Sequence, residues 1–166
     1  MSDLRVRPAE PSDLTRLTAI YNHYVVHTAI TFDIEVREPE GRRGWYVDHT
    51  SGPGHRLLVV EEGSEILGYA GSGTFREKRA YDTTVETTVY LDPAATGRGL
   101  GTLLYTGLFD ALAGEDVHRA VAGITLPNPA SLALHSRFGF REVGVFVENG
   151  RKLGRYWDVC WLERSL

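Results

Sequence analysis

Residues that can do chemistry stand out at three places in this chain. Glu86 sits inside TVETTVYL (residues 84–91), a run of β-branched and aromatic residues that reads as a strand. A carboxylate in mid-strand is costly to bury, so it is either solvated at a sheet edge or there for a task. Asp92-Pro93 then breaks the strand, because proline donates no ladder bond and holds its predecessor extended. Gly97, Gly99 and Gly101 follow, alternating with Arg98 and Leu100, before Leu103, Leu104, Leu108 and Leu112 recur at the spacing of one helical face. Strand, glycine loop and helix in that order put unobstructed backbone N–H groups at the positive end of a helix, a cradle for phosphate to which Arg98 adds charge. The third place is His135, one helical turn after Ser131, whose imidazole can donate a proton at neutral pH. Arg76 and Lys78, in the charged loop 76–82, are cations able to pair with a carboxylate.

Two widespread phosphate loops do not fit. A P-loop carries Lys before its Ser/Thr, whereas Thr102 follows Gly101 directly. A dinucleotide fingerprint needs an acid about 20 residues on, and the next apolar run, 120–125, closes on Ile124-Thr125-Leu126. A tight turn packed against its neighbours remains the plain alternative. His23 and His27 lie one turn apart, but without the Glu of H-E-x-x-H or a third ligand they read as surface or pocket-edge histidines, and no metal is expected. Cys160, the single cysteine, lies between Val159 and Trp161 and reads as a buried structural thiol.

The elements that must position these groups follow from pattern. The 166 residues are 42% hydrophobic and 24% charged, which suits one globular domain over residues 1–166. A net charge of −4 carries no nucleic-acid footprint. No apolar run approaches the ~20 residues of a membrane span, and the polar start lacks a signal-peptide core, so a soluble cytoplasmic protein is expected. Residues 4–7 read as a strand. Pro11 opens a helix whose buried stripe is Leu14, Leu17, Tyr21, Tyr24 and Val25. A β-branched connector (28–32), a helix over 38–47 turning Trp45 and Tyr46 to the core, and a loop over 49–55 come next. Strands 56–61 and 65–75 form a hairpin, in which Gly68, Gly71 and Gly73 imply something packed close on the backbone. Strand 120–125 precedes a helix capped by Asn128, opened by Pro129 and stopped by Gly139. Strands 142–148 and 155–163 are joined through Asn149-Gly150, a hairpin signal. The whole is a mixed sheet with helices on its faces, an α/β or α+β fold.

The glycine loop resembles the acyl-CoA-binding motif Q/R-x-x-G-x-G/A of the GCN5-related N-acetyltransferases (GNAT), with Gly99 and Gly101 at the small positions and Thr96 where Gln or Arg is usual. The likeness runs over residues 4–163 to the phosphinothricin N-acetyltransferase branch. It is carried by YNHY at 21–24, AYDTTVETTVYL from Ala80, GRGLGTLLYTGL from Gly97 and LPNPASLALHSRFGF from Leu126. The resemblance implies a GNAT domain with a bulged, splayed central strand and acetyl-CoA as the acetyl donor. Backbone of Thr96, Gly97, Arg98, Gly99, Leu100 and Gly101 would hold the pyrophosphate, Val89, Tyr90 and Leu91 the thioester carbonyl, and Asn128 with Ser131 the pantetheine arm. Glu86 would be general base, directly or through water, and His135 general acid toward the thiolate, where many acetyltransferases have Tyr. Phe32, Arg76, Lys78 and Glu86 would form the acceptor pocket of a homodimer that acetylates the α-amino group of phosphinothricin, methionine sulfoximine or methionine sulfone. Thr83 and Asp82 depart from the aromatic residue and Arg common beside that pocket. An acyl-CoA sensor without turnover, an acetyltransferase for another small amine, and a dinucleotide-dependent oxidoreductase are the alternatives. Glu86 and His135 argue against the first, and the missing acid after Thr125 against the last.

Overall fold

The computed structural model describes residues 4–166. Seven strands, β1 (Leu4–Pro8), β2 (Arg56–Glu62), β3 (Glu65–Thr74), β4 (Thr84–Leu91), β5 (Arg119–Thr125), β6 (Arg141–Lys152) and β7 (Arg155–Ser165), form one sheet in the order β1-β2-β3-β4-β5-β7-β6. Every neighbouring pair is antiparallel except β4 and β5. The four helices are α1 (Leu14–His27), α2 (Arg43–Thr50), α3 (Leu100–Leu112) and α4 (Pro129–Arg137). Helices α1 and α2 cover one face, over Leu57, Val59 and Tyr69; α3 and α4 cover the other, over Leu58, Val85 and Ala122. Among the described residues no helix is long and apolar enough to cross a membrane.

The sheet is mixed, as expected, and its centre is splayed. Strand β4 stays paired with β3 from Val85 to Leu91, yet it pairs with β5 only from Thr84 to Glu86, while β5 continues along β7 to Thr125. The expected bulge is absent from the β3–β4 register, which is constant throughout. A wedge therefore opens between β4 and β5 just past Glu86, with the free edge of β4 on one side of it.

Four local expectations change. His49 belongs to α2, which runs to Thr50, and not to a loop; its ring Nδ1–H bonds the Trp45 carbonyl one turn back at 2.8 Å. It can lie there because β3 is flattened by glycine: a Cβ at Gly71 would come 2.9 Å from His49 Cδ2, and one at Gly73 2.6 Å from Asp48 Oδ2. Leu103 is 39% exposed, and the buried stripe of α3 is Leu100, Leu104, Tyr105, Leu108 and Leu112. The last hairpin turns at Leu153-Gly154, both at positive φ (52° and 75°), as a tight primed turn requires. Asn149-Gly150 lies inside β6, where the register shifts after Phe146. The glycine there serves a close approach, since a Cβ at 150 would overlap the Phe32 ring.

Candidate active site

Strand alternation gives β4 two different faces. Val85 and Val89 join the core under α3, and Thr87 sits between them on that side. Glu86, Thr88 and Tyr90 point to the side of α1 and α2, into a cavity of about 560 Å³ whose walls include Tyr21, Phe32 and Trp161. On the α3 and α4 side the wedge holds a smaller space, about 60 Å³, lined by Val89, Tyr105, Asn128, Ser131 and His135. Thr87, Thr88, Tyr90, Gly123 and Thr125 line both, so the two spaces meet through the parting of β4 from β5.

Glu86 lines the larger cavity immediately before that junction, opposite Gly73 on β3 and Val121 on β5, the last pair that β4 makes with β5. Burial pushes its carboxyl pKa up, and the charge of Arg76 offsets part of the rise. A carboxylate with raised proton affinity in a cleft is a better base than an exposed one. The other acid of the cavity is shifted the opposite way. Asp33 is held low by Arg37, whose Nη2 donates to Oδ1 at 3.1 Å, and it also accepts the Tyr21 hydroxyl at 2.8 Å.

His135 is 3% exposed and committed at both nitrogens. Nδ1 lies 2.8 Å from the Ser131 carbonyl and so must donate to it; Nε2 then accepts from the Tyr105 hydroxyl at 2.9 Å. Burial lowers the imidazole pKa, which favours this neutral form. His135 thus has no spare proton of its own, and the group between it and the strand is Tyr105, whose hydroxyl also lies 3.4 Å from Thr87 Oγ1. Asn128 accepts the Ser131 N–H at 3.1 Å through Oδ1, caps α4 and lines the wedge.

Backbone donors are available at two points. The Asp92 N–H bonds the Leu67 carbonyl at 2.8 Å, so by alternation the N–H groups of Leu91 and Val89 face the β5 side, where pairing has ended, and that of Tyr90 faces β3. Val89 lines the wedge; Leu91 lies beyond it, its carbonyl taken by the Tyr24 hydroxyl at 2.6 Å. At the start of α3, Gly97 and Gly99 have φ of 75° and 76°, and a Cβ at either would meet nothing within 4 Å. Gly99 is the N-cap and supplies no side-chain cap, so the first N–H groups of α3 are free to take an anion. Gly101 differs, its Cβ position lying 3.2 Å from Leu134 Cδ2 on α4. Around the loop, Arg98 pairs with Glu62 at 2.9 Å, the Thr96 hydroxyl donates to the Pro93 carbonyl at 3.2 Å, and Leu100 is buried in the core.

The structure does not bring Arg76 and Lys78 into the cavity that holds Glu86. Both are exposed in the β3–β4 loop, Arg76 lying 4.9 Å from the Phe75 ring, because the loop leaves the sheet at the end of β3. The cations lining the cavity are Arg37 and Arg42. These two, with Asp33, Tyr105 and Trp161, are the polar site residues that sequence pattern misses: Tyr105 sits on a core stripe, and Arg42 in the polar run EGRRG. Trp161 packs on Gly123 with its Nε1 buried and unpartnered among the described residues.

Residues 17–140 match the model of the Acetyltransferase (GNAT) family. The chain is 58% identical to phosphinothricin N-acetyltransferase of Streptomyces coelicolor, an alignment covering 99% of this chain and 98% of that one. It is 35% identical to the L-methionine sulfoximine/L-methionine sulfone acetyltransferase of Salmonella typhimurium, covering 98% and 95%. It superposes with a TM-score of 0.93 and 30% identity on the crystal structure of a GNAT superfamily phosphinothricin acetyltransferase from Sinorhizobium meliloti in complex with acetyl-CoA, covering 100% of this chain and 89% of that one.

Proposed function

The chain belongs to the acetyltransferase (GNAT) family, and from that premise we propose that it moves the acetyl group of acetyl-CoA to the α-amino group of a small amino acid or analogue of the phosphinothricin and methionine sulfone kind. The observation that carries this reading is the position of Glu86, a half-buried carboxylate of raised pKa that lines the larger cavity at the last residue of β4 paired with β5.

The residues fit the donor. Glycines with open Cβ positions lead into an uncapped helix N-terminus suited to pyrophosphate, and Asn128 lines the wedge in which a pantetheine arm would lie. When bound, acetyl-CoA supplies a thioester activated toward amines. Glu86 takes the proton of the acceptor's ammonium group, directly or through a water, because that amine is protonated near neutrality and unreactive. The Val89 N–H, on the unpaired edge of β4, donates to the oxygen that gains charge during attack. Tyr105, whose hydroxyl is held by His135 Nε2, gives its hydroxyl proton to the departing sulfur and regains one from solvent after the products leave; His135 so acts through Tyr105. Incubation with acetyl-CoA and phosphinothricin, methionine sulfoximine or methionine sulfone, following free thiol, tests the reading. Thiol release with none of these amines, alongside release with an unrelated amine, would remove the amino-acid assignment and keep the transferase one.

The acting form we infer is a cytoplasmic homodimer joined through β6. This edge strand exposes Val143, Phe146 and Val147, at 59%, 57% and 73%, which is more apolar surface than an uncovered edge ordinarily presents.

A further inference from the structure

Arg42 closes the 3-10 turn ahead of α2 and lines the larger cavity, yet it is only 5% exposed. Its guanidinium is held by aromatic rings, Cζ lying 3.9 Å from the Trp45 centroid and 4.4 Å from that of Tyr21. Its hydrogen bonding is weak, a long bond from Nη1 to the Leu17 carbonyl at 3.3 Å and an interaction with the Tyr69 hydroxyl. Among the described residues no carboxylate lies within ion-pair distance of it. Asp33 is engaged by Arg37 and Tyr21, and Asp48 by Thr74 and by its contacts with His49 and His55. Beside it the Tyr69 hydroxyl is fully buried with no well-formed hydrogen bond among the described residues, Arg42 being the group that interacts with it, and its ring centroid lies 5.9 Å from Arg42 Cζ.

A buried charge that is neither paired nor well hydrogen-bonded is expensive, and proteins keep one where an opposite charge is to be met. Ring faces offset part of that cost and hold the planar fork of donors still. We propose that Arg42 is the residue that recognises the acceptor's anionic group, an α-carboxylate or a side-chain phosphinate, by a guanidinium–oxyanion pair inside the cavity. The proposal rests on the amino-acid reading given above and adds the residue that enforces it. The aromatic sandwich supplies pre-organisation, so pairing orders no flexible side chain, and the enclosed setting strengthens the attraction. Arg37 is a weaker candidate, since its side chain is 51% exposed and its charge is spent on Asp33.

The test compares kcat/KM for methionine sulfone, its carboxamide and phosphinothricin in the wild type, Arg42→Gln and Arg42→Lys. Each variant is also checked by its melting curve and its acetyl-CoA dissociation constant. The wild type should favour the acid over the carboxamide by roughly 10²-fold or more. Arg42→Gln should lose most of that preference through a raised KM for the acid, with the carboxamide and acetyl-CoA binding within about threefold of wild type. Arg42→Lys should recover part of it. Loss on phosphinothricin alone identifies the phosphinate as the paired group; loss on methionine sulfone as well identifies the carboxylate. A folded Arg42→Gln that loses acid and carboxamide equally overturns the proposal. So does a wild type indifferent to the carboxylate and to the phosphinate, even if no variant folds. A wild type that binds acetyl-CoA and acetylates neither acid nor carboxamide removes the amino-acid reading itself, and Arg42's role with it.

Discussion

Glu86 and His135 carry opposite shifts, and their signs make separate predictions. Burial raises the Glu86 pKa, so the native state favours the protonated acid. The stability this gives is full below the unfolded value near 4.5 and is lost as pH rises through the folded value. Glu86→Gln should therefore be at least as stable as wild type at pH 7, with the difference vanishing near pH 4. A thermal melt at both values checks this. The same substitution removes the proposed base, and kcat should fall by roughly 10²–10⁴-fold, with acetyl-CoA affinity unchanged and partial recovery at high pH. Near wild-type kcat across the pH range would leave Glu86 only an orienting role. His135 is lowered by burial, so its contribution is present above the unfolded value of 6.5 and lost as pH falls through the folded one. Tyr105→Phe removes the hydroxyl that favours neutral His135. It should reduce kcat about tenfold or more with KM little changed and move the acid limb of the rate profile to higher pH. An unchanged profile would disconnect Tyr105 from the proton path. Glu86 is legible in the sequence because a carboxylate interrupts a run of β-formers. Tyr105 and Arg42 are not, since each becomes polar machinery only through neighbours brought from other elements.

Among the elements, the strand, glycine loop and helix at residues 84–112 follow local rules closely enough to be read in advance, as does the Asn128-Pro129 cap of α4. The C-terminal hairpin shows where local rules give way. Asn-Gly is a strong turn signal, but the sheet uses Gly150 to admit the Phe32 ring and extends β6 to Lys152, whose Nζ donates to the Thr31 carbonyl at 2.7 Å. The splay of β4 from β5 has no sequence signal of its own, because it reflects which strands each continues to pair with. The three glycines of the loop, alike in sequence, separate in structure. Gly99→Val projects into open space, so it should weaken acetyl-CoA binding, with a backbone strain of about 1–2 kcal/mol from its positive φ. Gly101→Val presses on Leu134 Cδ2, so its effect falls on the packing of α3 against α4. Cofactor titration and melting curves of the two variants separate these effects.

For the molecule as a whole, Phe146→Asp places a charge on the exposed apolar strand of β6 and should shift sedimentation toward a monomer while the far-UV spectrum is retained. A dimer unaffected by this change would move the interface off β6. The parting of β4 and β5 has a consequence for the order of events in turnover. Its opening faces α3 and α4 on one side and α1 and α2 on the other, so a donor seated on the first side and an acceptor on the second, as proposed, would reach it from opposite faces of the sheet. Cys160, the only thiol, is 1% exposed and offers no place to park an acyl group between two half-reactions. Steady-state double-reciprocal plots should therefore intersect, as they do when both reactants are aboard together. Parallel lines would require a covalent stopover for which the fold provides no accessible cysteine.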